Sequence, residues 1–266
     1  MSQESQRAYG SFVAEYYDYL PVTAGRGDVA LYLEFARLQG GPILELGCGT
    51  GRILLPIARA GHPIVGLDLS PDMLARCQTK LASEPPEVRE RVQILRGDIT
   101  NFDLDGAFGL VIIPFRPFQH LLSVDQQLAC LGCVQRHLRP AGKLIVDFFQ
   151  TDPRRMYDPA FMNESSAFPE VTLPDGRKLK MTDRTRAFHR AVQQNEVEMA
   201  FYVTHPDGRT ERLVHSFTLR YFFRYEVEHL LARGGFRLVE LFGDFDRSPL
   251  RDDSREMIFV AEKSAS

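Results

Sequence analysis

The run Pro42–Arg52, PILELGCGTGR, constrains this chain more than any other stretch. Ile43, Leu44 and Leu46 make a short apolar run, the pattern of a buried strand. Gly47, Gly49 and Gly51 follow at alternate positions, and Ile53–Ala60 then reads as a helix. Glycine adopts positive φ readily and lets a ligand come close to the backbone. A helix start offers N–H groups and the positive end of its dipole, a setting for a carboxylate or a phosphate. Strand, glycine turn and helix together predict a site for a nucleotide-like ligand.

Spacing narrows the kind of nucleotide. A dinucleotide fingerprint, G-x-G-x-x-G, needs glycine at position 52, where the chain has Arg52. A phosphate loop is excluded, because no Gly-Lys-Ser/Thr follows. The chain instead carries G-x-G-x-G with Glu45 two residues ahead. Ile64–Leu67 reads as a second strand ended by Asp68, which follows Gly47 by 21 residues. That is the place for an acid accepting bonds from ribose hydroxyls. Asp98 closes a third strand in VQILRGDI, and with Gly97 and Ile99 it could hold the edge of an adenine ring.

At ELGCGTGR (45–52), GLDLSPDML (66–74), RGDI (96–99), PFRPFQHLL (114–122) and LRPAGKLIVDF (138–148) the chain resembles the class I S-adenosylmethionine (SAM) dependent methyltransferases. The tail, GGFRLVELFGDF (234–245) and MIFVAEK (257–263), fits the same family. The resemblance implies an α/β, doubly wound, mostly parallel seven-stranded sheet with its last strand antiparallel, and SAM as the cofactor. It places Glu45 toward the ammonium of the methionine part, beside Gly47 and Gly49. It puts Leu69 and Met73 on the faces of the adenine and Pro114 beside the cofactor, although Met73 serves equally as a core residue. An N-terminal segment with a Tyr-Asp pair, here Tyr17-Asp18, often caps the site in this family, so Tyr9 and Tyr17 are candidates, Tyr17 also as a catalytic group. Arg26 stands where the family often places a ligand for the cofactor carboxylate; solvated surface is its plain alternative. Arg52 either pairs with that carboxylate or lies on the surface.

Leu110–Pro114 is apolar and continuous, as a central parallel strand should be. Its carboxyl end should open where ligands bind in such sheets. The loop there reads PFRPFQHL. The family commonly carries Asn-Ser or a similar small pair where Phe115-Arg116 stands. Phe115, Phe118 and Arg116 are therefore expected as an aromatic wall with a cation that reads the substrate. His120 is the general-base candidate, because an imidazole titrates near neutrality; the alternative is a histidine supporting the loop. Asp147, in a fifth strand Lys143–Phe149, either points at the acceptor pocket or pairs with a core group.

After Phe149 the character of the chain changes. Pro-Asp-Gly turns at 174–176 and 206–208 separate strand-like runs at Lys178–His189, Glu196–Thr204 and Arg212–Phe222, an antiparallel meander. The expected organisation is a SAM-binding α/β domain, 1–150 plus 223–266, with 151–222 inserted as a small antiparallel β lid. A homodimer surface is the alternative use of that sheet. Arg220 lies at the return to the core and could touch substrate. An aromatic helix is expected near residues 9–20, a second over Asp28–Gln39, a polar loop over Ser83–Arg91 and a turn over Arg139–Gly142.

The remaining composition mainly excludes. The 266 residues are 44% hydrophobic, enough for a full core, and the formal net charge of −3 suggests no nucleic-acid partner. The insert carries 11 basic and 10 acidic side chains, so it is no polyanion patch either. MSQESQR lacks the features of a signal peptide, and no apolar run reaches the ~18 residues of a membrane span. Four cysteines in such a chain make no disulfide framework, and a reduced, cytoplasmic protein is the default. Cys130 and Cys133 read as ordinary helix residues. No metal is expected, since His189, His205 and His215 are too scattered for a site. The expected function is methylation of a small-molecule acceptor, N-directed in preference to O-directed, on an amino sugar, amino acid or similar metabolite. A SAM-binding module without catalysis is the competing class. A nicotinamide oxidoreductase is disfavoured by Arg52.

Overall fold

The computed structural model describes residues 10–20, 26–165 and 169–264. Its strands are β1 (Ile43–Leu46), β2 (Ile64–Asp68), β3 (Val92–Arg96), β4 (Phe108–Ile113), β5 (Leu138–Phe149), β6 (Val171–Thr172), β7 (Lys178–His189), β8 (Gln194–Thr204), β9 (Thr210–Arg220), β10 (Phe236–Phe242) and β11 (Glu256–Lys263). The longer helices, with one six-residue helix after the glycine turn, are α1 (Asp28–Gln39), α2 (Leu54–Arg59), α3 (Pro71–Ala82), α4 (Val124–His137) and α5 (Arg224–Arg233). Contacts divide the chain into two units: Gly27–Thr151 with Phe222–Ser266, and the segment up to Arg26 with Asp152–Tyr221.

In the larger unit the strand order is β10-β11-β5-β4-β1-β2-β3, with β11 antiparallel to both of its neighbours. Successive strand residues point to opposite faces, so Leu44, Leu46, Val111, Ile113, Leu144 and Val146 build one core with α4 and α5. Ile43, Leu110, Ile112 and Ile145 build the other with α1, α2 and α3. This is the doubly wound, mostly parallel α/β sheet that the motifs implied. β1 pairs with β2 on one side and β4 on the other. The order of strands reverses there, which opens a crevice beyond their carboxyl ends.

Local chemistry sets the helix starts. Ser70 caps α3, its Oγ accepting from Met73 N at 3.3 Å, with Pro71 in the first turn. Ser123 and Gln126 form a reciprocal capping box on α4. Two expectations change. The loop 83–91 contains a helical turn, Pro86–Arg89, which Pro86 starts and the buried Val88 anchors. The strand β5 begins at Leu138 rather than after a turn; a register irregularity opposite Phe108 and Leu110 absorbs the extra residues.

The smaller unit holds a four-stranded antiparallel sheet, β6-β7-β8-β9, turned at both Pro-Asp-Gly sites. One of its faces is apolar: Leu179, Met181, Phe201 and Val203 pack with Tyr16 and Leu20. The domain expectation is corrected here, because the N-terminal segment, a helix over Ser11–Tyr16 and a 3-10 turn over Tyr17–Tyr19, groups with the insert and not with residues 27–150. The reason is specific contact. The ring of Phe12 meets Phe201 edge-on at 5.7 Å, and Arg177 donates to the Tyr16 hydroxyl and to Glu15, each at 2.7 Å. The opposite face is polar. There Glu164 accepts from Thr182, Tyr202 and Arg212, and these bonds hold its carboxyl down at about 2. Among the described residues no helix is long and apolar enough to cross a membrane, and no group of His, Cys, Asp or Glu could hold a metal ion.

Candidate functional site

The ends of four strands of the larger unit, β1 to β4, carry the candidate site. After β1 the chain turns through Gly47, Gly49 and Gly51, with φ of 76°, 53° and 80°. All three lie in the left-handed region that side chains resist. Two of them also have no room: a Cβ on Gly47 would run into Pro117, and one on Gly51 would meet Cys77 Sγ at 2.6 Å. Gly49 differs, since a Cβ there would find nothing within 4 Å. The loop therefore presents an open, side-chain-free face at its middle glycine.

Asp68, at the end of β2, shapes that loop. Its Oδ2 accepts from Gly49 N at 2.8 Å and its Oδ1 from Ser70 N at 2.8 Å. Burial raises the Asp68 carboxyl above its ordinary value, while bonds from Ser70, Gly49 and Leu69 oppose the rise. A carboxylate has about four acceptor sites, so capacity remains for hydroxyl groups of a ligand.

Glu45 lies in β1 between Gly66 of β2 and Ile112 of β4. It is 2% exposed, and its Oε2 meets no hydrogen-bond partner among the described residues. Burial pushes its carboxyl well above the ordinary range; Arg52 pulls it down, and Asp68 and Asp28 add to the rise. A buried acceptor of this kind is costly unless something donates to it. An ammonium group does so and restores the charge.

At the end of β3, Asp98 accepts from Thr100 N at 2.9 Å and Thr100 Oγ1 at 2.8 Å, which turns the chain beside Gly97. Ile99 and Met73 are buried and Leu69 is half-buried, so these apolar groups flank the strand ends. Arg52 is held by Asp28 in a two-pronged ion pair at 2.8 and 2.6 Å. Asp28 escaped the sequence reading because a helix-start acid is common, and nothing local marks its partner.

The loop after β4 departs most from expectation. Pro114 is buried, and Phe115 and Arg116 both take positive φ, 60° and 73°. Phe115 is half-buried, with the guanidinium carbons of Arg52 and Arg116 at 5.4 and 5.3 Å from its ring centre. Arg116 was expected to read substrate, but it is 4% exposed and its Nη2 donates to both oxygens of Glu256, at 2.6 and 2.8 Å. Phe118 was expected in a pocket wall, but it is 2% exposed and packs edge-on against Phe148 at 5.7 Å. The 3-10 turn Pro117–His120 rotates it into the core and leaves His120 half-buried at the turn's end. Asp147 faces back to this loop, accepting from the Phe115 and Arg116 amides and from the Tyr32 hydroxyl.

Tyr17, Arg26 and Arg220 belong to the smaller unit. Tyr17 opens the 3-10 turn there, and Arg220 ends β9, its Nη2 donating to Gln193 Oε1 at 3.3 Å. Tyr9 lies outside the described residues.

A family model described as "Methyltransferase domain" matches residues 43–142, from β1 into the start of β5. The cypemycin N-terminal methyltransferase of a Streptomyces species is 27% identical over 257 residues, covering 96% of this chain and 97% of that protein. A dTDP-3-amino-3,4,6-trideoxy-alpha-D-glucopyranose N,N-dimethyltransferase of Streptomyces venezuelae is 25% identical, over 83% and 85% of the two chains. The solved structure of the CcbJ methyltransferase from Streptomyces caelestis superposes with a TM-score of 0.77 at 25% identity, covering 98% of this chain and 99% of that one.

Proposed function

Starting from a chain that belongs to the class I S-adenosylmethionine-dependent methyltransferases, we propose that it methylates an amine nitrogen on a small-molecule acceptor. It is an enzyme that uses SAM as methyl donor. The observation that carries the site assignment is the buried Glu45 Oε2 with no protein partner among the described residues, in the strand leading to the open face of Gly49. That combination suits a ligand with an ammonium group that must lie close to the backbone.

In this reading Glu45 accepts from the donor's ammonium, while Gly47 and Gly49 let its amino-acid end rest on the loop. Asp68 accepts from its ribose hydroxyls. Leu69, Met73 and Ile99 flank the adenine, and Gly97 and Asp98 hold its edge, with Pro114 closing the strand end. Arg52, engaged by Asp28, acts on Glu45 through its charge. When bound, the donor supplies an electrophilic methyl carbon on a sulfonium sulfur. The protein's work is then to align a nitrogen lone pair with that carbon and exclude water. An apolar wall such as Phe115 disfavours the protonated form of an amine by desolvation and so exposes the lone pair. His120, at the end of the same loop, is the residue proposed to take the amine proton.

The nitrogen preference draws on the two relatives of nearly matching length, named for methylation of a peptide N-terminus and of an amino sugar. The test is formation of S-adenosylhomocysteine from SAM with a panel of dTDP-amino sugars, free amino acids, short peptides, phenols and alcohols. Turnover is expected with an amine. Turnover confined to hydroxyl acceptors overturns the nitrogen assignment. Asp68→Ala is expected to remove SAM binding in calorimetry, and unchanged affinity would remove the ribose assignment.

A further inference from the structure

The loop after β4 holds two consecutive non-glycine residues in the left-handed region, Phe115 at φ 60° and Arg116 at φ 73°. Neither has the freedom glycine would have, so the turn is intrinsically unfavourable and persists only if its surroundings hold it. The holding group is one buried carboxylate. Asp147, in β5 and 0% exposed, accepts from Phe115 N through Oδ2 at 3.0 Å and from Arg116 N through Oδ1 at 3.1 Å. Oδ2 also accepts from the Tyr32 hydroxyl at 3.0 Å, which ties the carboxylate to α1. β4 and β5 are paired neighbours, Ile113 opposite Val146, so the clamp reaches across one strand spacing.

The side chains of the turn are tied as well. Arg116 is anchored on Glu256, the first residue of β11, and Phe115 lies near the guanidinium groups of both Arg52 and Arg116. The clamp thus fixes an aromatic ring beside the arginine of the glycine loop. We propose that Asp147 is a positioning residue for methyl transfer: it holds the Phe115–Arg116 turn in its strained form and so sets where the acceptor nitrogen meets the donor's methyl group. This rests on the reading of the strand ends as a methyl-transfer site. It goes beyond that reading by giving a core carboxylate of β5, which bonds the turn's backbone amides, control of the transfer step.

The test is Asp147→Asn in the full-length protein. Asparagine offers one acceptor oxygen where two backbone amides need one each, so the fork fails without a change of size. The expected result is a fall in kcat of roughly 10- to 100-fold with the fastest amine of the panel, the scale of a misplacement near 1 Å. The acceptor KM and the calorimetric SAM affinity should stay within about 3-fold of the parent, and amide hydrogen exchange at Phe115 and Arg116 should accelerate at least about tenfold. An unchanged kcat in a folded Asp147→Asn protein overturns the proposal, as does unchanged exchange at both amides. If that variant does not fold, Tyr32→Phe removes a single donor to the carboxylate and should lower kcat with SAM affinity retained; unchanged kcat and exchange there overturn it equally. A parent protein that binds SAM but turns over no acceptor, with the two amides slow to exchange, counts against the proposed function and leaves the clamp itself supported.

Discussion

The Arg52 guanidinium forks onto the Asp28 carboxylate, Nη1 to Oδ1 at 2.8 Å and Nη2 to Oδ2 at 2.6 Å. The pair joins the end of the glycine turn to the first residue of α1, and it gives a structural use to the side chain that stands where a dinucleotide fingerprint would need glycine. Their side chains are 2% exposed for Asp28 and 17% for Arg52, so solvent screens the pair weakly.

Asp28→Asn should therefore destabilise the fold by about 3–5 kcal/mol, the range for removing one partner of a buried pair. The double variant with Arg52→Gln should cost less than the two single changes summed. Urea unfolding of the four proteins measures this, and additive costs would show that the pair is not coupled.

Glu45 predicts a pH dependence of opposite sign to that of a salt-bridged acid. Its carboxyl is raised in the folded protein, chiefly by burial. The native state then binds more protons than the unfolded one between the two pKa values. The stability it contributes is present below the unfolded value, near 4.3, and is lost as pH rises through the folded value. Glu45→Gln should raise the melting midpoint of the ligand-free protein at neutral pH while lowering SAM affinity at least about tenfold, since a charge-assisted bond is removed. Melting curves that run parallel to the parent's from pH 4.5 to 8 would contradict this.

His215 acts in the other direction, in the smaller unit. Burial pushes its imidazole down to about 4. Its contribution is complete above the unfolded value, near 6.5, and is lost as pH falls toward the folded one; the gap corresponds to about 3 kcal/mol. Thermal unfolding of the insert, followed between pH 7 and 4.5, should show this acid loss, and His215→Leu should flatten it.

The glycines separate stability from binding. Gly47→Ala forces a Cβ into Pro117 at φ 76°, and strain plus overpacking should cost about 2–4 kcal/mol. Gly49→Ala meets open space at φ 53°, so only the backbone term of about 1–2 kcal/mol applies. Its methyl group instead projects from the face assigned to the donor, so SAM affinity should suffer more than stability. Unfolding and calorimetry on both variants decide it, and the reverse order would refute the assignment of that open face.

Much of the larger unit was legible before folding was considered. The helix expected over Asp28–Gln39 is α1 to the residue, and the strand expected over Ile64–Leu67 is β2, ended at Asp68. Acids at the ends of β1, β2 and β3 were readable from spacing because each belongs to a short strand-and-turn unit. The loop after β4 was not. Arg116 and Phe118 look like an exposed cation and an exposed wall in the string PFRPFQHL, and only the 3-10 turn shows that both are turned inward. The N-terminal aromatics were equally ambiguous, since helical spacing says that a face is apolar and not which core receives it.

The sequence by itself determined the doubly wound sheet, the glycine turn and the row of strand-end carboxylates. The turn and the carboxylates follow from spacing within a few tens of residues, and the sheet from the family that those motifs resemble. Tertiary structure alone decided which polar groups meet: Tyr32 reaches Asp147 across 115 positions of chain, and Arg116 reaches Glu256 across 140. No local pattern encodes such pairs. A buried charge takes whichever partner the packing of distant strands brings within hydrogen-bond reach, and that packing exists only in the folded chain.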